Sequence, residues 1–96
     1  MTVRATDKFW DWLKGLRDDR ARAKIYSKLD RLELGNPGDA APVGEGVSEL
    51  RIHYGPGYRI YFVQDDKGPI VVLGGDKSSQ NEDIRLAKKL AKELED

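Results

Sequence analysis

The sequence predicts an α+β domain in which a small, mainly antiparallel sheet is covered by two N-terminal helices and one C-terminal helix. Residues 49–62 form two alternating segments around a Gly-Pro-Gly turn, which is typical of a β-hairpin. Apolar residues recur at helical spacing in residues 21–32 and 84–94. Residues 70–73 are apolar throughout, which indicates an inner strand covered on both faces.

The first third of the chain is expected to contain a short strand at Met1–Ala5 and then two helices. Thr6 or Asp7 can cap the first helix, because their side-chain oxygens accept hydrogen bonds from unpaired N–H groups. The second helix is expected to start after Asp18 and to end at Gly35, since glycine readily takes the left-handed conformation. The residues expected to be buried are Phe9, Leu13, Leu16, Ala21, Ile25, Leu29 and Leu32.

The rest of the chain is expected to supply three strands and the last helix. Residues 35–46 are rich in Gly, Pro and Ala and are interpreted as a loop. Residues 79–82 have the Ser-x-x-Glu pattern of a capping box, which indicates the start of a helix. The strands are expected at Val47–Tyr54, Tyr58–Gln64 and Ile70–Leu73. The element order is then βααβββα, in one domain that spans residues 1–96.

Composition excludes several classes of function. The chain has 96 residues, enough for one domain with a modest core. With no cysteine and one histidine, neither a disulfide framework nor a metal or other cofactor is expected. Seventeen basic and seventeen acidic residues cancel, so any nucleic acid would be bound by locally placed charge. No segment approaches the length of a membrane span, and we expect a cytoplasmic protein with no membrane partner.

Polar residues around the predicted hairpin turn are candidates for RNA chemistry. Arg51 and His53 alternate on one face of the first strand, and Arg59 follows the turn. Cutting an RNA phosphodiester without a metal requires proton transfers and cations that stabilise the charged phosphorane. The guanidinium fork of Arg59 suits phosphate oxygens. His53 is a catalytic candidate because imidazole exchanges protons near neutral pH, whereas Arg51, always protonated, is expected to bind RNA.

Tyr54 and Lys77 are two further candidate RNA-binding or catalytic residues. Tyr54, beside the turn, is expected to stack on an RNA base. Lys77 follows a Gly-Gly-Asp sequence just before the last helix, where glycine permits close approach and a helix N-terminus favours an anion. Arg59 could instead pair with Glu49 or Asp76 to hold the sheet. The two glycines could instead serve only a tight connection between strand and helix.

The order of these segments resembles the RelE/ParE superfamily of toxins, and most closely its HigB-like, phage-related addiction module killer branch. The segments concerned are Glu-Leu-Arg-Ile at 49–52, Tyr-Gly-Pro-Gly-Tyr-Arg-Ile-Tyr-Phe at 54–62 and Gly-Gly-Asp-Lys-Ser-Ser-Gln at 74–80. The resemblance implies a RelE-like fold and a metal-independent endoribonuclease that cuts mRNA on the ribosome, inhibits translation and arrests growth. It assigns Arg59 to phosphate stabilisation and Lys77 to contact with RNA phosphate. The catalytic tyrosine that some relatives carry near the C-terminal helix has no counterpart, because the last tyrosine is Tyr61.

The resemblance also implies partners. They are a cognate antitoxin with a helix-turn-helix domain, the ribosome with its mRNA, and operator DNA through the antitoxin only. Two other functions stay open: a ParE-like toxin that poisons DNA gyrase without cutting nucleic acid, and a non-catalytic module that only forms a complex with its antitoxin or with DNA. The ParE-like toxins do not need the histidine and arginine pair of the hairpin.

Overall fold

The computed structural model describes residues 3–95 and confirms the predicted α+β class. Its elements are β1 (Arg4–Ala5), α1 (Asp7–Gly15), α2 (Asp19–Glu33), β2 (Ala40–Gly44), β3 (Val47–Ile52), β4 (Tyr58–Asp65), β5 (Gly68–Asp76), a 3₁₀ turn (Lys77–Ser79) and α3 (Gln80–Glu95). The sheet order is β1-β5-β4-β3-β2, with β1 parallel to β5 and all other pairs antiparallel. The strand predicted at Met1–Ala5 is present at Arg4–Ala5; Met1 and Thr2 lie outside the described residues.

Helices α1 and α2 cover one face of the sheet, as predicted. The Thr6 hydroxyl accepts a hydrogen bond from the Phe9 N–H and caps α1, and the Asp18 carboxylate accepts from the first turn of α2. Such caps satisfy N–H groups that have no partner inside the helix. The core on this face contains Phe9, Leu13, Ala21, Ile25, Leu29, Leu32, Leu50, Ile52, Tyr58, Ile60, Phe62 and Val71.

Helix α3 covers the opposite face. The second buried cluster consists of Val47, Tyr61, Val72, Leu73, Ala87 and Ala91. Because side chains alternate along a strand, the neighbours Val71 and Val72 of β5 belong to different clusters. The prediction that residues 70–73 form an inner strand covered on both faces is therefore confirmed.

The structure adds one strand to the predicted order βααβββα and corrects the bounds of two others. Residues 40–44, interpreted as loop, form β2 at the edge of the sheet, where Pro42 is tolerated because an edge strand has one side without ladder hydrogen bonds. Strand β3 ends at Ile52 and not at Tyr54, because the Tyr54 N–H turns back to the Ile52 carbonyl (2.9 Å). Strand β5 runs from Gly68 to Asp76 and is longer at both ends than predicted.

Candidate functional site

The β3–β4 hairpin places its charged residues on the sheet face that α3 partly covers. In the strand register Arg51 lies opposite Arg59, and Glu49 lies opposite Tyr61. Tyr61 belongs to the α3-side cluster, so the other three residues face the same side. The two arginines therefore lie next to each other near the turn, as the alternation predicted.

A buried carboxylate holds both arginines. Glu49 is 1% exposed, and its Oε2 accepts hydrogen bonds from Arg59 Nη1 (3.0 Å) and Arg51 Nε (3.1 Å). Its Oε1 accepts from Gln80 Nε2 (2.7 Å) at the start of α3. A buried carboxylate requires such partners, since its desolvation is otherwise uncompensated. The alternative pairing of Arg59 with Glu49 is thus present, and the Arg59 side chain is only 13% exposed.

Asp39 joins this network from the start of β2. Its backbone carbonyl accepts from the Arg51 N–H (2.9 Å), and its carboxylate contacts Arg51 Nη1 (3.3 Å) and His53 Nε2. The His53 hydrogen bond, with the Arg51 charge, lowers the pKa of Asp39 from its usual value. We call Glu49, Arg51, Arg59, Gln80, Asp39 and His53 the Glu49 cluster. Asp39 was missed in the sequence because β2 was interpreted as loop; Pro-containing edge strands give no alternating pattern.

Lys77 lines an open cleft beside the Glu49 cluster. Its stem packs against the hairpin turn, since a methyl group at Gly57 would lie 3.5 Å from Lys77 Cβ. The cleft measures about 380 Å³. It is lined by Arg51, Ile52, His53, Tyr54, Gly55, Pro56, Gly57, Arg59 and Lys77. All five residues predicted for the site therefore border one cavity.

The two glycines before Lys77 serve packing. A Cβ at Gly74 would lie 2.3 Å from the Trp12 ring of α1, and a Cβ at Gly75 would lie 2.0 Å from Asp83 Oδ2 of α3. The distance to Trp12 is too short for any side chain, and a side chain at position 75 would have to displace the Asp83 carboxylate. The glycines thus let α1 and α3 approach β5 from opposite faces, which supports the interpretation of a tight connection over that of a ligand loop.

Tyr54 lies at the boundary between two concave regions. Its hydroxyl donates to Asp18 Oδ2 (3.1 Å), and Lys24 Nζ lies 5.2 Å from the centre of its ring. Desolvation, with the Asp18 hydrogen bond, raises the pKa of Tyr54. The second region, which we call the α2 groove, measures about 320 Å³. It is lined by Lys24, Ser27, Lys28, Arg31, Ile52, His53 and Tyr54.

Tyr61 cannot replace the catalytic tyrosine that some relatives carry near the C-terminal helix. Its side chain is fully buried, and its hydroxyl has no hydrogen-bond partner among residues 3–95. Burial and the nearby Glu49 and Asp83 charges raise its pKa far above the ordinary tyrosine value. A phenol in this position is out of reach of a substrate in the cleft.

Two further properties concern cofactors and membranes. In the described part of the chain, no three His, Asp or Glu side chains converge as the ligands of a metal ion would. The helices within residues 3–95 are too short or too polar for any of them to traverse a bilayer.

The sheet, the paired hairpin arginines and the C-terminal helix define a small α+β domain with a cationic cleft beside its central hairpin. Residues 11–93 match the family described as phage derived protein Gp49-like (DUF891), and the chain belongs to this family. An uncharacterized protein of Haemophilus influenzae is 47% identical over 94 residues, which cover 96% of this chain and 94% of that protein. No solved structure matches the chain. The Gp49-like family is RelE-like and is associated with the toxins of toxin–antitoxin modules.

Proposed function

We propose that this chain is the toxin of a type II toxin–antitoxin module and acts as a HigB-like, ribosome-dependent mRNA endonuclease. The proposal rests on one observation above all: the cleft beside the hairpin turn is bordered by Arg51, His53, Arg59 and Lys77. Four nitrogen-bearing side chains around one cavity suit a phosphodiester with its developing negative charge. Family membership supports the pairing with an antitoxin.

In the proposed reaction, the ribose 2′-oxygen attacks the adjacent phosphorus and the bond from phosphorus to the 5′-oxygen breaks. A 2′,3′-cyclic phosphate forms, and the 5′-oxygen leaves and takes up a proton from water. The 2′-hydroxyl proton, first held by His53, is then released to solvent. His53 accepts the 2′-hydroxyl proton, with Asp39 orienting its ring through Nε2. Arg59 and Lys77 supply positive charge against the phosphorane. Arg59 is held for this role by Glu49, which uses only one of its guanidinium nitrogens.

Mapping RNA ends after induced expression tests the activity. We expect new ends inside coding regions, each ending in a 2′,3′-cyclic phosphate, and growth arrest. The matched control is the same transcript without its start codon, which should stay intact because the cleavage requires translation. Intact transcripts together with loss of gyrase supercoiling would instead establish the ParE-like function.

Arg59 is the residue to test first. Arg59→Ala is expected to lower the cleavage rate by about 100- to 1,000-fold, the usual loss for one transition-state donor. The fold should persist because Glu49 keeps its bonds with Arg51 and Gln80. Arg59→Lys keeps a positive charge beside Glu49 but loses the fork, and should also be impaired. Arg85→Ala, which removes an exposed arginine from α3, is the control. Normal growth arrest by folded Arg59→Ala protein would contradict the assignment.

A further inference from the structure

The charges of α2 are segregated around the helix. Four basic residues follow one another at spacings of four, four and three, which places them along one flank; they are Arg20, Lys24, Lys28 and Arg31. The acidic residues of the helix lie on the other flank, where the fifth basic residue, Arg22, pairs with Asp19; they are Asp19, Asp30 and Glu33. A helix surface that serves only solubility normally mixes both signs, often as i,i+4 pairs. The basic flank therefore forms a surface of one sign.

The cations of this flank have no acidic partners. Among residues 3–95, Lys24, Lys28 and Arg31 form no ion pair, whereas Arg51 and Arg59 are bound by Glu49. The three free cations line the α2 groove, in which Ile52 and the Tyr54 ring also take part. Lys24 and Lys28 are one helical turn apart, about 6 Å along the axis. This separation is comparable to that of successive phosphates along an extended nucleic-acid strand.

The α2 groove continues into the cleft of the proposed cleavage site. Ile52, His53 and Tyr54 border both cavities, so the two meet at the end of β3. Tyr54 offers an aromatic ring at the junction, where a base could stack without sequence preference. One strand could thus have its scissile phosphate at Arg59 and its neighbouring phosphates along Lys24, Lys28 and Arg31.

We propose that the α2 groove is a second binding site, for the phosphate backbone of the RNA strand that the cleft cuts. This inference rests on the proposed function and extends it from one phosphate to a segment of the strand. RNA is favoured over an acidic protein because the cores of protein interfaces are depleted of lysine, and two of the seven residues that line this groove are lysines. Nucleic-acid interfaces, in contrast, use such cations against phosphate.

Fluorescence anisotropy with labelled single-stranded RNA tests the proposal. All proteins carry Arg59→Ala, which removes the proposed transition-state donor, so that the assay reports binding alone. In this background, Lys24→Ala, Lys28→Ala and Arg31→Ala together should weaken binding of a ten-nucleotide strand at least about tenfold. The slope of log affinity against log salt should fall by about 2, since each lost phosphate contact contributes about 0.7 for single strands. Binding of a dinucleotide, which fills the cleft alone, should change little.

A matched variant carries Lys8→Ala, Lys14→Ala and Lys89→Ala, which removes the same charge from exposed positions outside the groove. Equal weakening by both triple variants would overturn the proposal, because only overall charge would matter. Groove-dependent binding of a glutamate-rich peptide, with no groove-dependent binding of RNA, would also overturn it and assign the groove to an acidic protein. If RNA binds through the groove but wild-type protein cuts no RNA in cells, the cleavage proposal fails and the groove stands. If wild-type protein cuts RNA and the groove variant binds it normally, only the groove inference fails.

Discussion

The Glu49 cluster and the α2 groove use positive charge in opposite ways. In the Glu49 cluster Arg51, Arg59 and His53 are each bound to a carboxylate, and the central carboxylate is 1% exposed. In the groove, Lys24, Lys28 and Arg31 are without an ion pair among the described residues. The cleft beside the Glu49 cluster and the α2 groove share His53 and Tyr54 as lining residues. Only the Glu49 cluster contains a buried charge.

The difference separates folding from binding. A charge that is removed from water must be compensated within the protein, so the Glu49 cluster stabilises the junction of β3, β4 and α3 while it holds Arg59 in place. Lys24 and Arg31 are exposed and Lys28 is half-buried. Cations that stay in contact with water need little compensation, so these three contribute little to folding and remain available to a ligand. Substitutions in the Glu49 cluster should therefore lower the stability of the fold, whereas substitutions in the α2 groove should lower RNA affinity.

The largest expected effect is on stability, from Glu49→Ala. Loss of this carboxylate leaves the partly buried Arg59 guanidinium without an ion pair among residues 3–95 and Gln80 without its acceptor, whereas Arg51 keeps Asp39. The free energy of unfolding should fall by about 3–5 kcal/mol. Urea denaturation measures it. The Lys24, Lys28 and Arg31 triple alanine variant is the comparison, and each of its substitutions, at exposed or half-buried surface positions, should change stability by less than about 0.5 kcal/mol. Similar losses in the two proteins would show that the groove is also structural.

The second prediction concerns Gly75, which lets α3 pack close to β5 beside the Glu49 cluster. Gly75 lies opposite Arg59, and a Cβ there would lie 2.0 Å from Asp83 Oδ2 and 3.3 Å from Ser79 Oγ. Gly75→Ala should therefore push the Asp83 carboxylate aside, break its hydrogen bond from Ser79 Oγ (2.6 Å) at the start of α3, and cost about 1 kcal/mol. Thermal unfolding compares it with Gly15→Ala, where the added methyl group meets nothing within 4 Å. Equal stability of the two variants would mean that α3 adjusts without strain.

The sequence predicted what depends on local pattern. Alternation placed Arg51 beside Arg59, and apolar periodicity identified the buried faces of both N-terminal helices. It did not predict Asp39 as a partner of Arg51 and His53, because that contact requires β2, whose Ala-Ala-Pro-Val-Gly sequence has no alternation and pairs only through its register with β3. The α2 groove also depends on tertiary structure, since the basic spacing lies within one helix but its other wall is the end of β3.

The smallest expected effects come from Asp39→Asn, which acts where the two regions meet. Removal of one negative charge makes the cleft more positive, and RNA affinity should rise on the order of threefold. Cleavage should nevertheless fall, because His53 loses the carboxylate that orients its ring. Asp30→Asn, on the acidic flank of α2, removes the same charge at a distance from the cleft and is the control. A rise in both affinity and cleavage would show that Asp39 only repels substrate.

The same substitution has a pH dependence whose sign follows from the pKa of Asp39. The His53 hydrogen bond and the Arg51 charge hold that pKa below its ordinary value of 3.8 in the folded protein. A lowered folded pKa means that the ionised carboxylate stabilises the protein above about pH 4, and that this contribution is lost as the pH falls through the folded pKa. Asp39→Asn should therefore unfold at a lower Tm than wild type near neutral pH, and the two Tm values should converge below about pH 4. A constant difference in Tm across that range would exclude Asp39 as the titrating partner of Arg51 and His53, and would place the stabilising charge of the cluster on the buried Glu49 alone.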